Sequence, residues 1–276
     1  MRYGFIGTFG TAQEILTLSV EAERAGWDAF FYWDGISVGP MDTFDPWVLL
    51  GAVAARTERV LLGAIINPLS RRRPWKVARE TLTLDHVSGG RAILPVGLGA
   101  VDDGGFTRVS DEPTDRRDRA ARLDETLEFL DLAWQGEPFS FTGQHYQSQD
   151  LVFRPRPIQR PRIPIWVVAL HPNARSMGRA ARYDGVLPNP GGGPEPEYGP
   201  DFVRDVVGWL ADHRDPQLPP SEVVMEGTSP IGDLAAAAAQ VSALADAGAT
   251  WWIESMWSDP CSPDDLLARV RQGPPR

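Results

Sequence analysis

Short apolar runs alternate with longer amphipathic stretches along most of the chain. Runs such as residues 28–33 (DAFFYW) and 60–66 (VLLGAII) are apolar almost throughout, which is typical of strands buried on both faces of a sheet. The stretches between the runs carry apolar residues at helical spacing, as in the segment that ends at Gly26. This alternation predicts parallel strands joined by crossover helices.

Eight strand candidates can be assigned, and nearly every one is followed by a predicted helix. They are residues 3–8, 28–33, 60–66, 91–98, 163–170, 185–187, 222–227 and 250–254. Eight such units in 276 residues fit a closed (β/α)₈ barrel better than an open doubly wound sheet. The sequence therefore predicts an α/β protein with the TIM-barrel fold, formed as a single domain over residues 1–276. A surface hairpin is expected in an insertion around residues 136–160.

Composition and charge narrow the functional classes. The formal net charge is −10, and an acidic chain repels the phosphate backbone of nucleic acid. No apolar run reaches membrane-spanning length, and the first residues lack the architecture of a signal peptide. The single cysteine, Cys261, cannot form an internal disulfide. A cytoplasmic protein without a nucleic-acid or membrane partner is therefore expected.

The chemistry of such a barrel is expected at the C-terminal ends of its strands. The Gly97-Leu98-Gly99 run does not continue into a dinucleotide-binding pattern, the four histidines lack metal-ligand spacing, and no nucleophile elbow occurs. The strand ends carry glycines, small hydroxyls, arginines and aromatic residues instead. Flat rings suit a planar heterocycle, and arginines with glycine-loop amides suit a phosphate. The same aromatic residues also suit the barrel core, and the arginines at 71–73 equally suit a solvated face.

One segment resembles a known family. Residues 82–91 (LTLDHVSGGR) are similar to the LD-x-x-S-x-GR signature of the bacterial luciferase-like flavin oxidoreductases. Further matching stretches, which extend the resemblance over most of residues 2–188, are AERAGWDAFFYWD, TERVLLG, RAARLDETLEFL, FRPRPIQRPRIPIWV and RAARYDGVLP. They occur in the family's order, so together they are specific although none is specific alone.

The resemblance implies a barrel that binds FMN or the deazaflavin F420, with the ring across the strand ends. By position it places Asn67 beside the ring, and it places a non-prolyl cis peptide between Ile65 and Ile66 behind the ring. Gly97 and Gly99 would form the floor, and the loops after the fifth and sixth predicted strands would hold the phosphate. The cofactor-binding residues so implied are Thr8, Ile65, Ile66, Asn67, Gly97, Gly99, Asn173, Gly191 and Gly192.

The chain departs from the family where the second strand ends. Members of this branch usually end that strand with Trp-Asp-His, whereas this chain has Trp33-Asp34-Gly35. A histidine at that position would be a natural proton donor near a flavin. His171, at the end of the fifth predicted strand, is the candidate replacement. Asp34 and His171 are therefore the predicted catalytic residues.

The sequence predicts a monooxygenase that uses reduced FMN and O₂ on a small, largely apolar substrate. Its expected partners are that substrate, a separate flavin reductase and a second copy of the chain in a homodimer. Three alternatives stay open: F420-dependent hydride transfer, a flavin-free barrel that binds a small molecule, and a hydrolase built on Asp34 and Glu254. The missing histidine favours the flavin-free barrel, and a hydrolase would need a defined separation of the two carboxylates.

Overall fold

A parallel sheet rolled into a barrel organises the computed structural model, which describes residues 1–191, 198–257 and 261–276. The strands are β1 (Arg2–Ile6), β2 (Ala29–Tyr32), β3 (Leu61–Ala64), β4 (Asn67–Pro68), β5 (Leu94–Gly97), β6 (Phe139–Thr142), β7 (Gln147–Leu151), β8 (Ile165–Leu170), β9 (Gly185–Asn189), β10 (Glu222–Gly227) and β11 (Trp251–Glu254). The helices are α1 (Ala12–Ala25), α2 (Pro46–Arg56), α3 (Pro74–Ser88), α4 (Gly104–Thr107), α5 (Arg116–Ala133), α6 (Ala174–Ala180), α7 (Pro200–His213), α8 (Leu234–Asp246) and α9 (Pro263–Arg271).

Local sequence signals begin and end the helices. Thr11 and Glu14 form a capping box at the start of α1, and Asp45 accepts a hydrogen bond from the N–H of Val48 at the start of α2. Gly26 and Gly89 end α1 and α3 in the left-handed conformation, which costs glycine little. These boundaries follow from residues within one turn of each helix end. None of the described helices is both long and apolar enough to cross a membrane.

The sheet closes on itself through the third barrel strand. Its order is β3-β2-β1-β11-β10-β9-β8-β5-β4, and every pairing between these strands is parallel. Leu62 of β3 bridges Ala92 just before β5, with backbone hydrogen bonds of 2.9 Å on both sides of the bridge. The predicted TIM-barrel fold is therefore confirmed.

The prediction of one continuous third strand over residues 60–66 is wrong. β3 stops at Ala64, and pairing resumes in the two-residue β4. β3 pairs with β2 and β4 pairs with β5, so the third barrel strand consists of two pieces that face different neighbours. The sheet therefore counts nine strands at eight barrel positions. The predicted fourth strand, residues 91–98, is likewise longer than the strand in the structure. β5 covers Leu94–Gly97, and the residues just before it contribute an isolated bridge at Ala92.

Side chains separate into a barrel interior and an outer layer under the helices. In β11, Trp251 and Ile253 point inward and Trp252 points outward, as the alternation of a strand requires. The indoles of Trp166 and Trp251 meet inside the barrel with ring centroids 5.0 Å apart. Because these rings fill the interior, open space remains only towards the two ends of the barrel.

The insertion around residues 136–160 contains the predicted hairpin. β6 and β7 pair antiparallel and form a separate two-stranded sheet. Phe129 of α5 packs edge-on against Phe139 and Phe141 of β6, at centroid distances of 5.2 Å and 5.7 Å. The hairpin is thus attached to the outside of the barrel through α5.

Candidate active site

A cavity of about 550 Å³ opens at the C-terminal ends of the strands. We call it the central cavity. Its apolar lining residues are Ile65, Ile66, Val168, Leu187, Pro188, Val224 and Trp257. Its polar lining residues are Asn189, Tyr198, Glu226, Thr228 and Ser255. An apolar pocket of this size with a few converging polar groups is the usual form of a small-molecule site.

A second cavity of about 440 Å³ lies beside the first, and we call it the side cavity. Ile66 and Trp257 line both cavities and so form a shared wall. The apolar side chains of Trp33, Val38 and Met41 line the far side. The two cavities together offer room for two adjacent ligands, which suits a cofactor and a substrate.

The shared wall contains the predicted cis peptide. The bond between Ile65 and Ile66 is cis, which confirms the expectation drawn from the resemblance. Asn67, predicted to lie beside a ring, is fully buried behind this wall. Its side-chain N–H donates to the carbonyls of Ala64 at 2.9 Å and Pro95 at 3.1 Å, so it ties β3 to β5. Its Oδ1 has no partner among the described residues, which leaves one buried acceptor unused at this point.

The two glycines predicted as a floor permit close packing of different neighbours, Ile66 at Gly97 and Phe106 with Pro68 at Gly99. A Cβ at Gly97 would lie 2.4 Å from Cδ1 of Ile66. Gly99 has a φ of +75° and lines the side cavity, where a Cβ would lie 2.7 Å from Pro68. Thr8 lines neither cavity: its hydroxyl donates to the carbonyl of Met256 at 2.9 Å and joins the end of β1 to the segment after β11.

The carboxylate of Asp34, a predicted catalytic residue, is held in two ion pairs. Its side chain is fully buried, with Arg71 at 3.0 Å and Arg72 at 2.7 Å. Arg71 also donates to the backbone carbonyl of Asp34 at 2.6 Å. Two of the arginines at positions 71–73 therefore serve an internal network. The carboxylate of Asp34 is therefore committed to these ion pairs.

Asp103 completes this network from the opposite side. Burial alone would raise the pKa of Asp103, but N–H groups of Gly105, Ser37 and Ile36 and the Arg71 guanidinium hold it at about 2. Arg71 therefore lies between two carboxylates, Asp34 and Asp103. The network joins the loop after β2 to the loop after β5 and frames the side cavity.

Gly35 stands where the resemblance implies a histidine, and the structure shows what occupies that space. A Cβ at Gly35 would lie 2.3 Å from Cζ3 and 2.9 Å from Cε3 of Trp33. The Trp33 indole is 7% exposed, and its N–H donates to the carbonyl of Thr8 at 3.0 Å. The indole ring thus fills the position that a side chain at residue 35 would need.

His171, the other predicted catalytic residue, lies at the same end of the barrel but lines neither cavity. Its backbone N–H donates to the carbonyl of Asn189 at 2.8 Å, which fixes the end of β8 to the end of β9. Its ring packs edge-on against Phe202 at a centroid distance of 5.8 Å. No contact in the described residues brings it to the central cavity, so its catalytic role stays a prediction.

Asn173 and Gly191, both assigned to the predicted phosphate loops, follow the neighbouring strands β8 and β9, and their role in phosphate binding stays a prediction. The side chain of Asn173 caps α6 by accepting from the N–H of Ser176 at 3.0 Å. Gly191 has a φ of +62°, and a Cβ there would lie 2.3 Å from Leu170. Gly192 lies outside the described residues.

A groove of about 660 Å³ between α5 and α6 begins at Leu98, just after β5. We call it the arginine groove, because it is lined by Arg116, Arg117, Arg175, Arg179 and Arg182. Asp124 is the one carboxylate of the groove among the described residues, and it pairs with Arg179 at 2.6 Å and with Arg182 at 3.4 Å. In a chain of net charge −10, this groove is a local region of positive charge. Sequence analysis missed it because the five arginines are divided between two distant helices.

The alternative of a hydrolase built on Asp34 and Glu254 is contradicted by the side-chain directions. Glu254 is the outward-facing last residue of β11 and is fully buried against α9. Arg269 pairs with it at 3.0 Å, and Ser229 and the Trp252 indole also donate to it. Neither carboxylate is free, so they cannot act as an acid and base pair. Among the described residues, no cluster of His, Cys, Asp and Glu is placed to hold a metal ion.

Comparison with known proteins identifies the family. Residues 4–206 match the family described as luciferase-like monooxygenase. The F420-dependent glucose-6-phosphate dehydrogenase of Nakamurella multipartita is 32% identical over 209 residues, which are 70% of this chain and 58% of that protein's length. The chain therefore matches less than two thirds of the length of that relative.

Two solved structures have the same fold. Monooxygenase RslO1 from Streptomyces bottropensis superposes with a TM-score of 0.81 at 20% identity, covering 99% of this chain and 97% of that one. An F420-dependent secondary alcohol dehydrogenase in complex with an F420-acetone adduct superposes with a TM-score of 0.78 at 15% identity, covering 98% and 97%. At such identities the likeness establishes the architecture alone.

Proposed function

We propose that this chain, which belongs to the luciferase-like monooxygenase family, uses a deazaflavin of the F420 type to move hydride to or from an uncharged alcohol or carbonyl compound. The family establishes an oxidoreductase of the flavin or F420 class. The choice of F420 over FMN rests on the arginine groove. The choice of an uncharged substrate rests on the charges around the two cavities.

The residues of the central cavity fit a planar ring. Ile65, Ile66 and Val224 offer an apolar surface, and Asn189 and Ser255 offer hydrogen-bonding groups at its edge. The Oδ1 of Asn67, the residue after Ile66, is a buried hydrogen-bond acceptor without a partner among the described residues. A deazaflavin bound there would supply a carbon centre that accepts or gives hydride. The protein would hold the ring and exclude water from it.

The arginine groove favours F420 over FMN as the cofactor. FMN ends in one phosphate, whereas F420 continues beyond its phosphate into a chain of glutamate carboxylates. Arg116, Arg117 and Arg175 have no carboxylate partner among the described residues, so they remain available to bind such a chain. The groove also begins at Leu98, between the two glycines predicted as the ring floor. A polyanion lying in the arginine groove would meet several guanidinium groups.

The substrate is expected to be uncharged. The described residues place Arg71 alone among cations in the lining of the two cavities, and two carboxylates already neutralise it. Glu226 contributes a negative charge to the central cavity. A sugar phosphate, the substrate named for the curated relative, would meet no free cation there. The largely apolar side cavity favours a hydrocarbon-rich alcohol or ketone instead.

Titration of the purified protein with F420 and with FMN tests the cofactor. Binding is read from cofactor fluorescence, and F420 is expected to bind more tightly and with a steeper dependence on salt. The double variant Arg116→Ala/Arg117→Ala should weaken F420 binding roughly three- to tenfold and change FMN binding little, because each exposed charge contributes modestly. Arg24→Ala on the exposed face of α1 is the matched control.

Turnover then separates the two reactions of the family. F420-loaded protein should oxidise secondary alcohols such as cyclohexanol, with loss of the oxidised-cofactor absorbance. Tighter binding of FMN, no effect of the arginine variant, and O₂ consumption with reduced FMN from a separate reductase would support the monooxygenase instead. Absence of binding by either cofactor would favour a flavin-free barrel.

A further inference from the structure

The inner face of β10 places one carboxylate at each end of the barrel. Glu222, Val224 and Glu226 alternate with the outward-facing Val223 and Met225. Val224 lies in the interior cluster, so Glu222 and Glu226 point to the same side of the strand. Glu222 lines the cavity at the N-terminal end, and Glu226 lines the central cavity at the C-terminal end.

Glu226 is held at the boundary between the two cavities. Its Oε1 accepts a hydrogen bond from the indole N–H of Trp257 at 2.9 Å. Trp257 is in turn packed edge-on against Trp33 and Phe9, at centroid distances of 5.7 Å and 6.3 Å. Because Trp257 belongs to the wall shared by both cavities, the carboxylate is fixed beside that wall. Its Oε2 makes no hydrogen bond within the described residues and remains available to a ligand.

The other titratable groups that line the two cavities are placed differently from Glu226. Asp34 and Asp103 are held in ion pairs with arginines, and Asp102 is an exposed residue that lines the side cavity and not the central cavity. Burial and the negative charge of Glu226 both raise the pKa of Tyr198, so its phenol stays protonated at neutral pH. The remaining polar groups of the central cavity, on Asn189, Thr228 and Ser255, do not titrate in this range.

We propose that Glu226 is the catalytic acid–base residue of this oxidoreductase, a role that rests on the proposed function. In the oxidation of a secondary alcohol, a deazaflavin bound in the central cavity would take up the hydrogen of the carbinol carbon together with two electrons. The hydroxyl oxygen gives its proton to Oε2 of Glu226, and the C–O single bond becomes the carbonyl double bond. In the reverse direction Glu226 returns that proton. The Trp257 indole keeps the other oxygen occupied and the carboxylate oriented.

The test compares Glu226→Gln with Glu222→Gln. Glutamine at position 226 keeps an oxygen for the Trp257 indole N–H but cannot take up a proton. Glu222 lies on the same strand at the opposite end, where it pairs with Arg2, so its substitution is a matched control. Glu226→Gln should lower kcat for cyclohexanol roughly 10²- to 10⁴-fold, the range of general acid–base catalysis, with F420 affinity changed less than about twofold. Glu222→Gln should retain the kcat of the wild type.

A second measurement needs no turnover. The tertiary alcohol 1-methylcyclohexanol has a hydroxyl group but no carbinol hydrogen, so it binds without reacting. Its affinity for the F420-loaded protein, measured by calorimetry, should be lower in Glu226→Gln than in the wild type, because an amide cannot make the charge-assisted hydrogen bond that a carboxylate makes with the hydroxyl. In Glu222→Gln the affinity should equal that of the wild type.

The outcomes separate the two proposals. Wild-type protein that binds no F420, or oxidises no secondary alcohol, overturns the proposed function and this inference with it. If the wild-type protein does both, a Glu226→Gln variant whose kcat stays within tenfold of the wild type overturns the inference alone, and so does one that binds 1-methylcyclohexanol as tightly as the wild type. A loss of kcat that merely follows a loss of F420 affinity also overturns it.

Discussion

Replacing Gly35 by alanine tests why this site lacks the histidine that the resemblance implies. The new Cβ would lie 2.3 Å from Cζ3 of Trp33, more than about 1 Å inside ordinary van der Waals contact. The backbone at residue 35 is not in the left-handed region, so alanine can adopt this conformation without backbone strain. Most of the effect should therefore come from the Trp33 ring, with a smaller contribution from Cγ2 of Val38 at 3.2 Å.

The size of the effect follows from how firmly the ring is held. The Trp33 indole is buried, donates to the carbonyl of Thr8 at 3.0 Å, and packs against Tyr32 and Trp257 at 5.8 Å and 5.7 Å. Overpacking of such a site costs about 1–3 kcal/mol of the free energy of unfolding. If the ring also gives up its hydrogen bond, a further cost of about 1–3 kcal/mol follows.

A double-mutant cycle measured by urea unfolding isolates this contact. Gly35→Ala should destabilise the wild type by about 2 kcal/mol, and it should be nearly neutral in a Trp33→Leu background, where the obstructing ring atoms are gone. Gly51→Ala is the control: nothing lies within 4 Å of its Cβ position in α2, so it should stabilise by about 0.5–1 kcal/mol.

Equal costs of Gly35→Ala in the two backgrounds would refute this reasoning, as would no cost in either. The first result would mean that the backbone or the neighbouring Val38 limits the position. The second would mean that the indole moves freely. If the ring does fill the site, Gly35→His should also destabilise the protein without adding a functional imidazole.

Two further predictions concern the ion network around the side cavity. Asp34→Asn should lower the free energy of unfolding by about 3–5 kcal/mol, because it leaves Arg71 and Arg72 poorly compensated while buried; a stable variant with a large loss of kcat would show that Asp34 is catalytic after all. Asp103 has a folded-state pKa of about 2 against an ordinary value of 3.8, so its charged form adds stability above pH 4 that is lost as the pH falls towards 2. Asp103→Asn should therefore cost about 2 kcal/mol at pH 7 and about half of that at pH 3, and an equal cost at both pH values would contradict this assignment.

The signature segment at residues 82–91 does not line the cavities where chemistry is expected. The Asp85 carboxylate accepts hydrogen bonds from Gln159, and the Arg91 guanidinium donates to carbonyls of Ala54, Thr57 and Val60. These contacts fasten α2, α3 and the insertion near the start of β5, at the N-terminal end of the barrel. Residues at this end of such a barrel stabilise the fold, whereas the chemistry depends on the opposite end. The signature could therefore indicate the architecture and leave the reaction open.

The candidate site was only partly predictable for a similar reason. The sequence placed Ile65, Ile66 and Asp34 at the correct end of the barrel, because every parallel strand ends on the same side. It missed Glu226, because a strand buried on both faces does not show which residues point inward. Val224 in the interior cluster settles that question for β10, and a polar residue two positions later then lies in the central cavity.

The sequence by itself determined the elements and their order. The apolar period, the capping residues and the terminating glycines each act over a few residues of the chain. They can therefore be read from the sequence without knowledge of the tertiary structure. Only the tertiary structure decided which groups are free to react. Asp34 and Arg71 are 37 residues apart along the chain, and Glu226 and Trp257 are 31 apart. Both contacts arise where neighbouring strands pair, β2 with β3 and β10 with β11. This pairing places one carboxylate between arginines and leaves the other in the lining of the central cavity.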